Sequence, residues 1–259
     1  MTNIPRLKKP GGFVRTGFLC LVLAFLAAPL SGFLTNGVFW EQASLSPQDW
    51  ASIITSLVGG AVALVVIVLC GTPLAFFLAT RRDALAVLAE ALVLIPTLMP
   101  TLALGILLAV VYGPAAPLGR FFEALGVVLT NTPAAFLLAT VYAALPTYVI
   151  AARAALAQVP PDYEALAQTL GDSQLQARLR VTLPLARRGL STALALAWVR
   201  ALGEFGVILI VAYYPAGMPV QLWTDVQDLG LQAVFPLVGV FLLLTLPVPL
   251  WLGLRSRQA

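Results

Sequence analysis

The sequence predicts an all-α integral membrane protein of about six transmembrane helices. Three observations predict it. Hydrophobic residues fill 60% of the 259 positions and charged residues only 10%, against roughly 25% charged in a soluble domain. The mean hydropathy is +0.96. Six segments, about 16–35, 50–79, 86–111, 133–152, 188–212 and 233–254, each supply the roughly 20 mostly apolar residues that cross about 30 Å of hydrocarbon. A chain this poor in charge cannot coat itself with water-facing groups, so its solvent is lipid.

Each element has its own local signals. Arg6, Lys8, Lys9 and Arg15 precede the first apolar run, as in a signal peptide. That run ends Pro29-Leu30-Ser31-Gly32-Phe33 with no clean small-x-small cleavage site, so an uncleaved first helix is expected. The second span opens at Ser46-Pro47-Gln48-Asp49, which places a Ser cap, Pro at the first helical position and an acid at the third. Pro73 should bend this helix near its far end. Glu90 starts the third span and is expected at the membrane interface. Pro96 and Pro100 then remove two backbone donors from that helix and bend it. Leu118, Phe121, Phe122 and Leu125 fall at i, i+3, i+4 and i+7, the apolar face of a short interfacial helix. Pro160-Pro161 closes the fourth span. The fifth carries Arg200 and Glu204 one turn apart on one face.

Orientation follows from the basic residues of the short connections. Thirteen of the fifteen Lys and Arg lie in the N-terminal tail, the 80–85 turn, the 153–188 loop and the C-terminus. The opposite loops hold Arg120 among Glu41, Asp49, Glu123, Asp225 and Asp228. Both termini are therefore expected in the cytoplasm. The net charge of +4 marks that membrane face, not a nucleic-acid surface. Residues 1–45 read as a cytoplasmic tail, first transmembrane helix and outer loop, and 46–256 as the core transmembrane domain.

The ionisable inventory excludes several chemistries. With no His, imidazole bases and ligands are absent. Lys8 and Lys9 are the only lysines, so no Walker A loop can hold nucleotide phosphates here. Cys20 and Cys70 sit singly in apolar runs and read as small buried hydrophobes, with no metal site. No cluster of carboxylates or nucleophiles at membrane depth suggests an embedded enzyme, so no catalytic residue is assigned. No convincing internal repeat suggests a secondary transporter.

The most informative stretch is Pro160-Pro161-Asp162-Tyr163-Glu164-Ala165-Leu166-Ala167-Gln168-Thr169-Leu170-Gly171, continuing to Val181-Thr182-Leu183-Pro184. Asp162 can cap a helix over 163–170 that stops at Gly171. A second short helix, about 172–180, should end before Leu183-Pro184. Together they make a knuckle projecting from the membrane. This knuckle resembles the coupling helices of ATP-binding-cassette importer permeases, whose motif runs Glu-Ala-Ala, Gly, then aliphatic-x-Leu-Pro. Anchored on Gly171, Ala167, Val181, Leu183 and Pro184 match. The motif's Glu falls on Ala165 and its first Ala on Leu166, while Glu164 stands one residue early. Thr72 to Arg82 resembles the family's second-span exit. Arg200-Ala201-Leu202-Gly203-Glu204-Phe205-Gly206 resembles its oxyanion branch, and Ala212 to Pro219 is most like the molybdate and tungstate members.

The resemblance implies a MetI-like permease fold and a multi-pass place in a bacterial or archaeal cytoplasmic membrane. It implies a homodimer serving a cytoplasmic ATPase dimer and an extracytoplasmic binding protein. ATP and Mg²⁺ would then belong to the ATPase, leaving this chain without a cofactor of its own. Glu164, Ala165, Ala167, Gly171, Leu183 and Pro184 would couple to the ATPase. Arg200, Glu204, Thr97 and Thr101 are candidates to line an oxyanion pathway, the two threonines lying one turn apart. For Arg200 and Glu204 a purely structural pair orienting the helix stays open beside that role. Sulfate, iron, thiamine or a polyamine are alternative cargoes.

Overall fold

The computed structural model describes residues 12–35 and 44–251. The expectations placed on the N-terminal tail, the 36–43 loop and the C-terminal arginines lie outside these residues. The chain divides into two compact units, Met1–Ser44 and Leu45–Ala259. The first holds helix α1, Gly12–Thr35, whose Thr16–Thr35 stretch is long and apolar enough to cross a membrane.

The second unit is all helix among its described residues. Helix α2 (Pro47–Thr80) has 34 residues and so spans about 50 Å. Its start is the expected cap, completed as a box. Asp49 N–H donates to Ser46 Oγ (3.1 Å) and Ser46 N–H donates to Asp49 Oδ2 (2.7 Å). The helix continues through Pro73 to Thr80.

The expected third span is not one rod. Helices α3 (Ala84–Leu98) and α4 (Thr101–Tyr112) meet at 118°. Pro96 is accommodated inside α3, whereas Pro100 is the N-cap of α4. A proline's effect on its preceding residue ends the helix there. The short helix α5 (Pro117–Ala124) follows, with Leu118, Phe121 and Leu125 exposed as an interfacial helix requires. Helix α6 (Pro133–Leu156) is the third long apolar helix among the described residues.

The knuckle consists of α7 (Pro161–Thr169), α8 (Gln174–Ala177) and a π-turn over Arg178–Thr182. Helix α9 (Leu183–Leu202) follows without a gap. The expected fifth span, 188–212, breaks at Gly203 to Phe205 before the short α10 (Gly206–Val211). Then come α11 (Met218–Asp228) and α12 (Phe235–Thr245), the latter bending at Leu246 and running on to Trp251.

Helices α2, α6 and α9 form the centre of this unit. Their shared seam is alanine-rich: Ala63, Ala75, Ala144, Ala152, Ala193 and Ala197 are essentially sealed from solvent. Lipid gives apolar helices no hydrophobic reason to associate, so close backbone approach through small residues supplies the packing. Gly71 illustrates the tolerance. A Cβ there would lie 2.7 Å from the Tyr148 ring, whose hydroxyl shares a 2.8 Å hydrogen bond with Thr72 Oγ1. At the far end of α6, Arg153 Nη1 donates to Glu90 Oε1 at 2.5 Å, binding α3 to α6.

Candidate coupling and translocation sites

The knuckle is built by backbone closure first. Gly171 has φ +104°, a conformation that costs a side-chain-bearing residue steric strain. This lets Asp172 N–H donate to Ala167 O (3.1 Å) and Gly171 N–H donate to Gln168 O (3.1 Å), the paired bonds of a Schellman motif. Ser173 then starts α8 with a second capping box through Gln176. The predicted cap at Asp162 is corrected. Pro160 occupies the N-cap without a side-chain bond, and Asp162 lies in the first turn. The predicted end near Pro184 is also corrected. Leu183 N–H donates to Arg178 O, five residues back. This wider turn absorbs the missing N–H of Pro184, so the chain stays helical into α9.

Glu164 points into the knuckle. Arg178 Nε donates to its Oε1 (3.3 Å), and Thr182 Oγ1 donates to its Oε2 (3.1 Å). The Arg178 guanidinium also lies 5.3 Å from the Phe76 ring centroid near the end of α2. One carboxylate thus connects α7 to the π-turn that begins α9, and through Arg178 to α2. A second ion pair, Arg180 to Asp172 at 2.8 Å, closes the turn after Gly171. Ala167 is buried, Ala165, Gly171 and Pro184 are exposed, and Leu183 is half-buried.

The outward face of α7 is apolar. Tyr163, Leu166 and Leu170 fall at i, i+3 and i+7 and are all exposed, Leu170 at 82%. Leu175 on α8 and Leu179 on the π-turn are exposed as well. The short knuckle thus exposes five large hydrophobes, Tyr163, Leu166, Leu170, Leu175 and Leu179. Motif spacing missed Arg178, Thr182, Phe76 and these leucines. The i, i+3, i+7 pattern of α7 was the available signal.

The second site lies where two helix breaks meet. Gly206 opens α10, and a Cβ on it would overlap Thr101 Oγ1 and sit 2.8 Å from Leu102 N. Gly105 in α4 would likewise meet Ile210 Cβ at 2.9 Å. The glycines let the backbones of α4 and α10 cross in contact. Glu204, in the gap between α9 and α10, is 0% exposed. Val207 N–H donates to its Oε1 at 2.9 Å, so this side chain caps α10. Its Oε2 lies 2.5 Å from Arg200 Nη1, out of line for a hydrogen bond. The Arg200 side chain remains 31% exposed.

The threonines part company. The 118° bend separates Thr97 from Thr101, so the shared face expected of them does not form. Thr97 Oγ1 donates back to Val93 O (3.3 Å). Thr101 instead joins the Gly206 crossing next to Glu204. The 212–219 segment is pinned at both ends. Tyr214 N–H donates to Asn131 Oδ1 (3.4 Å) and Met218 N–H to Ser56 Oγ (2.8 Å).

Known proteins resemble this chain in sequence and in fold. A probable molybdenum ABC transporter permease protein of Haloferax volcanii is 36% identical over 85% of this chain and 78% of its own length. The molybdate/tungstate transport system permease protein WtpB of Pyrococcus furiosus is 29% identical, over 94% of this chain and 95% of its own. A chain of the MetNI methionine ABC transporter, solved in inward-facing conformations, superposes with a TM-score of 0.64 at 17% identity. The match covers 83% of this chain and 99% of that one, which establishes the MetI-like fold. The family model described as binding-protein-dependent transport system inner membrane component matches residues 71–257. By sequence and by fold, this chain belongs to that family of transport permeases.

Proposed function

We propose that this permease carries molybdate or tungstate across a cytoplasmic membrane, as half of a homodimer driven by a separate ATPase. The knuckle supports the coupling role most directly. Its exposed α7 face offers a groove-binding surface, and Glu164 ties that surface to the start of α9 and the end of α2. Closure of an ATPase pair on ATP and Mg²⁺ would pull the knuckle, and the Glu164 cluster would hand the pull to two membrane helices. The 13-to-1 partition of loop arginines and lysines supports a cytoplasmic knuckle. An extracytoplasmic binding protein would then meet the opposite loops, in keeping with the family's description.

The cargo reading rests on the names of the two relatives and on the 212–219 segment. Arg200, part-exposed beside the helix breaks, would add positive potential to the anion's path. The path need bind only weakly, since it must also release. The deciding experiment reconstitutes the permease with its ATPase and binding protein in vesicles and measures ATP hydrolysis. Molybdate- or tungstate-loaded binding protein should stimulate turnover. Stimulation by sulfate-loaded protein alone would overturn the cargo. Uptake, surface expression and coupling all unchanged in Arg200→Gln would remove Arg200 from the path.

A further inference from the structure

Two buried carboxylates face each other where α11 lies along the head of α2, and the transport reading uses neither. Their meeting follows from helix geometry. Met218 N–H donates to Ser56 Oγ, which fixes one point of contact. Asp49 lies seven residues before Ser56 and Asp225 seven after Met218. Each is two turns, about 10 Å, from that point on the same helix face. Antiparallel packing therefore brings Asp49 and Asp225 together.

Both are nearly sealed, Asp49 at 5% and Asp225 at 7% exposure. Asp49 Oδ2 is committed to the Ser46 cap, but Asp49 Oδ1 is buried with no hydrogen-bond partner among the described residues. Asp225 Oδ1 accepts from Gln221 Nε2 at 2.8 Å, which leaves Oδ2 for another role. Among the described residues the groups acting on Asp225 are Asp49, Gln221 and Asp228, and none is a cation. Helix α12 brings no ionisable side chain among its described residues, Arg200 at the end of α9 is ion-paired with Glu204, and Tyr213 bonds Thr224. Two adjacent buried carboxylates without a counter-ion cannot both ionise cheaply. A proton on Asp225 would give the orphaned Asp49 oxygen its donor.

We propose that Asp49 and Asp225 form a one-proton site, an acid–carboxylate pair that clamps α11 to the head of α2. Burial, then the Asp49 carboxylate, push the Asp225 carboxyl from 3.8 up to about 6. Between those values the native state binds more protons than the unfolded state, so stability falls as pH rises. The clamp's contribution is full below about 3.8 and is lost as pH rises through about 6. In the topology proposed above, this end meets the binding protein, and acid would stiffen that docking face. That last consequence rests on the proposed orientation, and the site itself does not.

The test uses the purified full-length permease and follows the infrared carbonyl band of protonated carboxyls, with thermal stability, from pH 5 to 8. The wild type should lose a band and several degrees of melting temperature as pH rises through about 6. Asp225→Asn should lack that band and show a flatter profile. Asp49→Asn keeps an acceptor for Ser46 N–H and should move the titration toward the ordinary carboxylate range. A flat wild-type profile, or an unchanged one in Asp225→Asn, would overturn the site. So would stabilisation of the wild type alone by Ca²⁺ or Na⁺ at pH 7.5, which would make it a cation site. If the band titrates as expected but binding-protein association ignores pH, the orientation fails and the clamp stands.

Discussion

Removing the Glu204 side chain should cost more than neutralising it, and the difference measures the cap it places on α10. In the native state Glu204 serves two groups, the Val207 N–H through Oε1 and the Arg200 guanidinium through Oε2. Glu204→Gln keeps an oxygen for Val207 and deletes the charge. Breaking a fully buried pair from one side costs about 3–5 kcal/mol, but Arg200 is 31% exposed and reaches water or headgroups by snorkelling. About 1–2 kcal/mol is the discounted expectation. Glu204→Ala also strands a buried N–H, adding about 1–3 kcal/mol. Removing both charges in Arg200→Gln with Glu204→Gln should recover much of the single-variant loss, since neither charge is then unpaired. Unfolding of the detergent-solubilised permease in graded SDS, read by Trp fluorescence, supplies the four free energies of the cycle. Equal losses for Gln and Ala would refute the capping role. A double variant as unstable as the sum of the singles would refute the pairing.

Three further expectations follow from the same geometry. Glu164→Ala frees Arg178 and Thr182, and losing about 1 kcal/mol of ordering should lower uptake per ATP about fivefold, with ATPase binding retained; unchanged stoichiometry in vesicles would contradict the link. Gly171→Ala forces a Cβ into φ +104° at about 1–3 kcal/mol, which should raise amide exchange across 160–172 while leaving α2 and α6 protected. Gly206→Ala collides with Thr101 and with Leu102 N, so assembly should fail, and adding Thr101→Ala should not restore it because the backbone nitrogen remains; size-exclusion profiles in detergent check this.

Some of this protein could be read from its residues because the physics involved is local. Lipid exposure demands long apolar runs, so α1, α2 and α6 were visible as such. Ser46, Pro47 and Asp49 act within one turn of each other, and the cap they form matches the expectation. Gly171 was legible because a helix stop with positive φ depends on one residue. Arg200 and Glu204 were paired correctly because four residues make one turn.

What the sequence could not decide involved partners far along the chain. The bend of the third span was legible in Pro96 and Pro100, but not its consequence: Gly105 and Gly206 let α4 and α10 cross, a contact between residues about a hundred positions apart. The 118° bend carried Thr101 away from Thr97 and into that crossing. Glu164 was judged by its misfit to a motif, while its role depends on where Arg178, Thr182 and Phe76 arrive. Asp49 and Asp225 show the division most clearly. The sequence by itself determined an all-helical membrane chain and the cap that Asp49 serves. Only tertiary packing set a second buried carboxylate beside that cap, because charge on one helix carries no record of the surface it will meet on another.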